Sequence, residues 1–127
     1  MKIKAVTFFG HSEASPESED FQAAKKSAFL LAKKGITIVN GGGPGIMKAS
    51  TLGGNEAGGK TIGVSFKAEG MTFFEGKDSS NPVDKEIMAE DYWQRTKKLL
   101  DLGDVYVVFN GGTGTVSEFG MAWGLAR

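Results

Sequence analysis

The amino-acid sequence predicts an α/β protein: a three-layer, doubly wound parallel sheet with helices on both faces. Three observations carry that prediction. Short β-branched or aromatic runs alternate with stretches of helical periodicity, in the order β-α-β-α-β-loop-(β)-α-β-α. One run, Ile36-Thr37-Ile38-Val39, is continuously β-branched, the mark of a strand covered on both sides. Glycine makes up 19 of 127 residues, against an average near about 7%, and it gathers at Gly41–Gly45, Gly53–Gly63 and Gly111–Gly114 rather than spreading as in a linker.

The elements follow in order. Residues 3–9 read as the first strand, closed by Gly10. Ser15-Pro16-Glu17 then offers an N-cap, a proline at the first helical position and an early acid. Phe21, Ala24, Ala28 and Leu31 place one apolar stripe on the helix that follows, and Gly35 suits the position just past its end. After the second strand and the Gly41–Gly45 turn, Ile46, Ala49 and Leu52 give a short helix, and Thr61–Phe66 gives a third strand. The stretch from Lys67 to about Val83 reads as a long loop, with a short strand around Ile87-Met88 beyond it. Asp91 caps a helix carrying Tyr92, Arg95, Thr96, Leu99 and Leu100. Residues 104–109 form the strongest strand pattern in the chain, and a last helix begins near Thr115 with Val116, Phe119, Ala122 and Trp123 on one side.

Composition narrows the function. A length of 127 residues fits one domain, 1–127, able to bury a core without staples. The charge is balanced, with 15 basic and 15 acidic residues, which argues against a general nucleic-acid or membrane-surface partner. With no cysteine and one histidine, disulfides, thiolate catalysis, cysteine–zinc sites and multi-histidine metal sites are excluded. The N-terminal residues lack a signal-peptide pattern and no apolar run could span a bilayer, so a cytoplasmic location is expected. The chain stops at Gly124-Leu125-Ala126-Arg127 inside an unfinished helical pattern, which predicts a piece of a longer chain.

The chemistry concentrates at strand-to-helix turns. In Asn110-Gly111-Gly112-Thr113-Gly114-Thr115, glycines expose backbone N–H groups and a helix start adds unsatisfied donors, together an anion site of the kind that holds a phosphorylated nucleotide. A tight turn with an ordinary cap is the alternative. Glu118 has two readings: a catalytic carboxylate, or the acid of a capping box with Thr115 as N-cap. The turn Asn40–Met47 and the turn Phe9-Gly10-His11-Ser12 face the same sheet edge, where ligands of open α/β sheets bind. His11 reads as a loop residue. Gly54–Thr61 matches the P-loop pattern letter for letter, but a helix precedes it and a strand follows, the reverse of what phosphate binding needs. Arg95, beside Lys97 and Lys98, reads from composition alone as a solvated helical charge.

Gly111-Gly112-Thr113-Gly114-Thr115-Val116-Ser117-Glu118 resembles the P-G-G-x-G-T-x-x-E signature of the LONELY GUY (LOG) family, many members of which carry the label "lysine decarboxylase-like". Gly41–Met47 nearly reproduces that family's G-G-G-x-x-G-x-M turn, one residue shorter. Arg95 stands sixteen positions before Gly111, where the family has a catalytic arginine, and Asp104 matches an aspartate opening the intervening strand. The resemblance spans nearly the whole chain. It implies a Rossmann-like homodimer that hydrolyses nucleoside 5′-monophosphates such as AMP or cytokinin riboside monophosphates to free base and ribose 5-phosphate, with no metal or cofactor, and not a lysine decarboxylase. It further implies Arg95 and Glu118 as catalytic residues. The nucleotide would lie against Gly10, Ser12, Gly42, Gly43, Gly45, Met47, Gly111, Gly112, Thr113, Gly114 and Thr115. Glu118 would then face the sugar, with Arg95 polarising the substrate or keeping Glu118 ionised. Three departures stand out: Asn110 replaces the signature proline, Thr96 replaces the lysine after the arginine, and the family continues for another strand and helix. The alternative is a non-catalytic relative, a nucleotide sensor or a molybdenum-cofactor carrier.

Overall fold

A computed structural model describes residues 2–67 and 79–126. Its elements run β1 (Ala5–Phe9), α1 (Glu19–Lys33), β2 (Thr37–Asn40), α2 (Ile46–Glu56), β3 (Thr61–Phe66), β4 (Lys85–Ala89), α3 (Tyr92–Leu102), β5 (Val105–Val108) and α4 (Thr113–Leu125). The predicted alternation is present, including the short fourth strand. All four strand pairings are parallel, and the sheet order is β4-β3-β2-β1-β5. The chain winds outward from β1 to β4 and then returns to the other side of β1. The crevice between the ends of β1 and β5 is therefore the topological switch point, where ligands of such sheets bind.

Alternation along the strands builds two cores, one on each face. Val6, Phe8 and Ile38 pack with Phe21, Ala24, Ala28 and Ala32 of α1 and Ile46 and Ala49 of α2. Phe9, Val39 and Val64 point the other way, onto Leu99 and Leu100 of α3 and Ala122 of α4. This is the three-layer arrangement that the sequence predicts.

Local chemistry explains the helix limits. At the end of α1 the Gly35 amide donates to Ala32 O (2.9 Å) and the Ile36 amide to Leu31 O (3.2 Å). Those paired bonds form a Schellman cap, and Gly35 at φ +82° supplies the left-handed residue it requires. The start of α1 differs from the prediction. Its N-cap is Ser18, whose hydroxyl accepts from Phe21 N (3.2 Å), with Glu19 and Asp20 in the first turn. Pro16 instead bends a turn closed by Ser18 N donating to Ser15 O (2.9 Å), since its fixed φ suits the second position of a turn equally well. Asp91 caps α3 as predicted, accepting from Gln94 N (2.8 Å).

The largest difference lies in α4. The helix begins at Thr113 with Gly112 as N-cap, two residues before the predicted start. Its buried residues are Thr115, Glu118 and Ala122, whereas Val116 (65% exposed), Phe119 and Trp123 (67%) point outward. The predicted apolar stripe is thus rotated away from the sheet. The turn fixes that phase: a Cβ on Gly111 would collide with the Thr115 hydroxyl and stand 3.0 Å from His11 N, so loop and first helical turn are closely apposed. Beside it, β5 occupies the sheet margin with Val105 and Val108 exposed. Among the described residues, the strongest strand pattern of the sequence therefore stands at the margin of the sheet, half-exposed.

The loop predicted for 67–83 lies mostly outside the described residues. Its end is well anchored: Asn81 Nδ2 donates to Gly43 O (2.8 Å) and Asn55 Nδ2 to Pro82 O (2.9 Å). No helix among the described residues is long and apolar enough to cross a membrane.

Candidate functional site

Three strand-to-helix turns meet at the carboxyl ends of β2, β1 and β5. The β1 turn is the link: His11 N donates to Asn110 O (3.1 Å) in the β5 turn, and His11 O accepts from Ile46 N (3.2 Å) at the start of α2. Close approach requires the glycines here. A Cβ at Gly10 would stand 2.6 Å from Ile46 Cγ1, and one at Gly45 would strike His11 O and lie 2.6 Å from Ser12 C. Gly45 also sits at φ +68°, ψ −128°, a conformation that side chains rarely tolerate. Gly10, Ser12, Gly45, Gly111 and Thr115 are thereby gathered into one surface. The His11 imidazole instead reaches α1, 3.5 Å from the Asp20 carboxylate.

At the head of α4 no side chain caps the Gly112 end, and Asn110 uses its Oδ1 to accept from Gly111 N (3.1 Å). The first amides of a helix have no intrahelical acceptor, and here the residues flanking them are small and Gly112 and Thr113 are exposed. Of the two readings of Glu118, the capping box with Thr115 does not form, because Gly112 occupies the cap position. Glu118 is therefore a second-turn residue, 8% exposed, turned toward the protein.

Arg95 is not a solvated charge. It is 6% exposed, with Nε donating to Val64 O (2.9 Å), Nη2 to Gly41 O (3.1 Å), and Nη2 lying 3.8 Å from Met47 Sδ. The guanidinium also lies 6.0 Å from the Phe66 ring centre. The planar fork spans two strand-end carbonyls, which a lysine could not do. Gly41 is glycine because the guanidinium lies where its Cβ would be. Gly42 (φ +74°) abuts Ser65, and Gly43 offers its carbonyl to Asn81.

Two residues escaped the sequence reading. Tyr92 opens α3 and sets its ring edge-on to Phe66, with centroids 5.8 Å apart. Its phenol is raised above its ordinary pKa by burial first and by the negative charge of Glu118 next, while Arg95 and the neighbouring Ser117 and Thr96 hydroxyls pull the other way. The Arg95 and Glu118 charges thus converge on one hydroxyl. Asn81, 7% exposed, keeps a buried Oδ1 with no hydrogen-bond partner among the described residues, beside the Gly43 turn. An aromatic among helix-forming residues and an asparagine in a polar loop give no signal by type or spacing.

Thr96 is fully buried and its hydroxyl donates to Tyr92 O (3.1 Å), a back-bond within the helix. Asp104 is structural in this arrangement: its carboxylate accepts from Lys4 N (2.7 Å) and Ala5 N (3.1 Å), holding the start of β1, and those bonds lower its pKa. The P-loop-like segment is split between α2 and β3, with Gly54 pressed against Thr61. Among the described residues no group of three or more His, Asp or Glu side chains is placed to hold a metal ion.

Residues 3–127 match the family model described as LDcluster4, the SLOG cluster4 family. The chain belongs to that family. The match bears out the resemblance to LOG-type proteins. Over 112 residues the chain is 32% identical to a cytokinin riboside 5′-monophosphate phosphoribohydrolase of Mycobacterium tuberculosis, covering 87% of this chain and 58% of that protein. Over 123 residues it is 28% identical to an uncharacterised protein of Archaeoglobus fulgidus, covering 96% and 75%. The chain thus spans between just over half and three quarters of the length of these relatives. Among solved structures, the molybdenum cofactor binding protein of Rippkaea orientalis superposes with a TM-score of 0.77 at 26% identity, covering 98% of this chain and 73% of that one.

Proposed function

We propose that this protein binds a nucleoside 5′-monophosphate in the crevice between the β1 and β5 turns and hydrolyses its N-glycosidic bond. The observation that carries this reading is a buried carboxylate, Glu118, on the inward face of a helix whose glycine-rich start has no side-chain cap, together with a buried guanidinium, Arg95, on α3. The similarity to the mycobacterial phosphoribohydrolase supports it.

In this mechanism the amides at Gly112–Thr115, with the positive end of the α4 dipole, hold the 5′-phosphate and so fix the sugar. As the bond from C1′ to the base nitrogen lengthens, positive charge gathers on C1′ and the ring oxygen. Glu118 stabilises that charge and accepts a proton from the attacking water. The water oxygen bonds to C1′ and the base departs with the bonding pair, taking from solvent a proton that balances the one passed to Glu118. The products are free base and ribose 5-phosphate. Arg95, its fork held by Val64 O and Gly41 O, is a fixed positive charge that cannot swing into solvent.

A second reading, carriage of a molybdenum cofactor without turnover, is favoured by the Rippkaea structure and by Thr96, whose hydroxyl is spent inside the helix. Incubation with AMP and with cytokinin riboside monophosphates, followed by chromatography of free base, separates the two. Base release that disappears in Glu118→Ala while AMP still binds supports hydrolysis. Tight binding with no base release rejects it in favour of carriage.

A further inference from the structure

We propose that Tyr92 is a positioning residue for this hydrolysis, its phenol bridging α3 to α4 and fixing where the Glu118 carboxylate stands relative to Arg95. The inference rests on the hydrolase reading and adds a residue to it.

The geometry begins with the ring. Tyr92 is the first residue of α3, directly after its Asp91 cap, so its backbone is held at a defined helix start. Edge-on packing against Phe66 at the end of β3 fixes the ring plane, and the same Phe66 ring lies against the Arg95 guanidinium. One aromatic surface therefore positions both the phenol and the arginine. The hydroxyl then projects across to α4 and ends beside Gly114, where a Cβ would make an ordinary contact of 3.4 Å with the Tyr92 oxygen. That contact falls one helical turn before Glu118, on the same face of α4, so the phenol on α3 bears on the part of α4 that carries the carboxylate.

The bridge matters because α4 has little else to hold its inward face. Of its buried residues only Ala122 is apolar; Thr115 and Glu118 are polar, and of its large apolar side chains Met121 packs partly against the core while Val116, Phe119, Trp123 and Leu125 face outward. A helix fixed by so few apolar groups depends on polar contacts for its exact setting, and a shift of about 1 Å in a reacting group can lower turnover roughly a hundredfold. Among the described residues, the charged groups facing the phenol are Glu118 from α4 and Arg95 from α3 itself.

Tyr92→Phe keeps the ring on Phe66 and removes only the hydroxyl. With AMP as substrate, kcat is expected to fall about tenfold or more while KM changes little, since the phosphate contacts are untouched. In parallel, tyrosine-ring NMR follows ionisation, the signal missing from Tyr92→Phe being that of Tyr92. Its midpoint lies above that of free tyrosine and is expected to fall in Glu118→Gln, which removes the neighbouring negative charge. A kcat within twofold of wild type, or a midpoint unmoved by Glu118→Gln, overturns the positioning role and leaves the hydrolase reading intact. A wild-type chain that binds AMP without releasing base overturns the hydrolase reading, and with it the catalytic role of Tyr92; a midpoint shift would then report a structural bridge alone.

Discussion

Replacing Gly41 with alanine puts a methyl group where the Arg95 guanidinium lies. Besides the clash with Nη2, the new Cβ would stand 2.9 Å from Arg95 Cζ and 2.9 Å from Met47 Sδ. The sulfur is the flexible end of a side chain and can yield; the guanidinium is held at both Val64 O and Gly41 O. Relief therefore requires breaking at least the bond to Gly41 O. A buried hydrogen bond from a charged donor contributes about 1.5–3 kcal/mol, and a carbonyl left without its partner adds to that, so a loss of about 3 kcal/mol is expected. For a chain of this length each kcal/mol moves the melting temperature by about 3–5 °C, which gives a fall of roughly 9–15 °C. Thermal melts of wild type, Gly41→Ala, Arg95→Ala and the double variant test the cause as well as the size. With Arg95 trimmed, the methyl group added at position 41 has room, so the two substitutions should couple by at least about 1.5 kcal/mol. A Gly41→Ala melting point within about 2 °C of wild type, or additive effects in the cycle, refutes the claim that the guanidinium dictates this glycine.

Two further substitutions probe opposite ends of the fold. Gly112→Ala meets nothing within 4 Å and sits at φ −85°, so the loss of stability should be no more than about 1 kcal/mol, that of a weakened N-cap, while affinity for AMP, read by calorimetry, falls because the methyl group stands among the amides proposed to hold the phosphate. Unchanged affinity would move the phosphate elsewhere. Asp104 has its native pKa depressed by the Lys4 and Ala5 amides, so its contribution is complete above the unfolded value and is lost as pH falls through the lower native one. Asp104→Asn should be less stable than wild type at neutral pH, with the gap closing in acid below about pH 3.8, as urea titrations across pH would show. A gap that is constant across that range would mean the carboxylate charge contributes nothing.

What could be read in advance was whatever a short window of sequence determines. Gly35 after two lysines, Asp91 before an aromatic run, and β-branched strands between glycine turns each state a local preference that the fold obeys. Arg95 could not be selected from its neighbours, because its burial depends on carbonyls supplied by β3 and the β2 turn, 31 and 54 residues away. Periodicity also misjudged α4. Val116, Phe119 and Trp123 form a good apolar stripe, yet the helix presents Thr115 and Glu118 inward because the turn at Gly111 sets its rotation before the stripe has any influence. Ser18 displaced Ser15 as the cap for a related reason: Pro16 satisfied a turn as well as a helix start, and only the chain path from β1 decides between them.

The inward polarity of α4 has a consequence for how the molecule responds to a ligand. A helix that sets only Ala122 and part of Met121 against the core, with its other large apolar groups facing away from the sheet, gains less from burial than α1 or α3. In the proposed function its first amides are also the donors to the 5′-phosphate. Under that reading, occupancy and rigidity of this segment belong to one equilibrium, and a bound phosphate favours the arrangement that holds Glu118 in place.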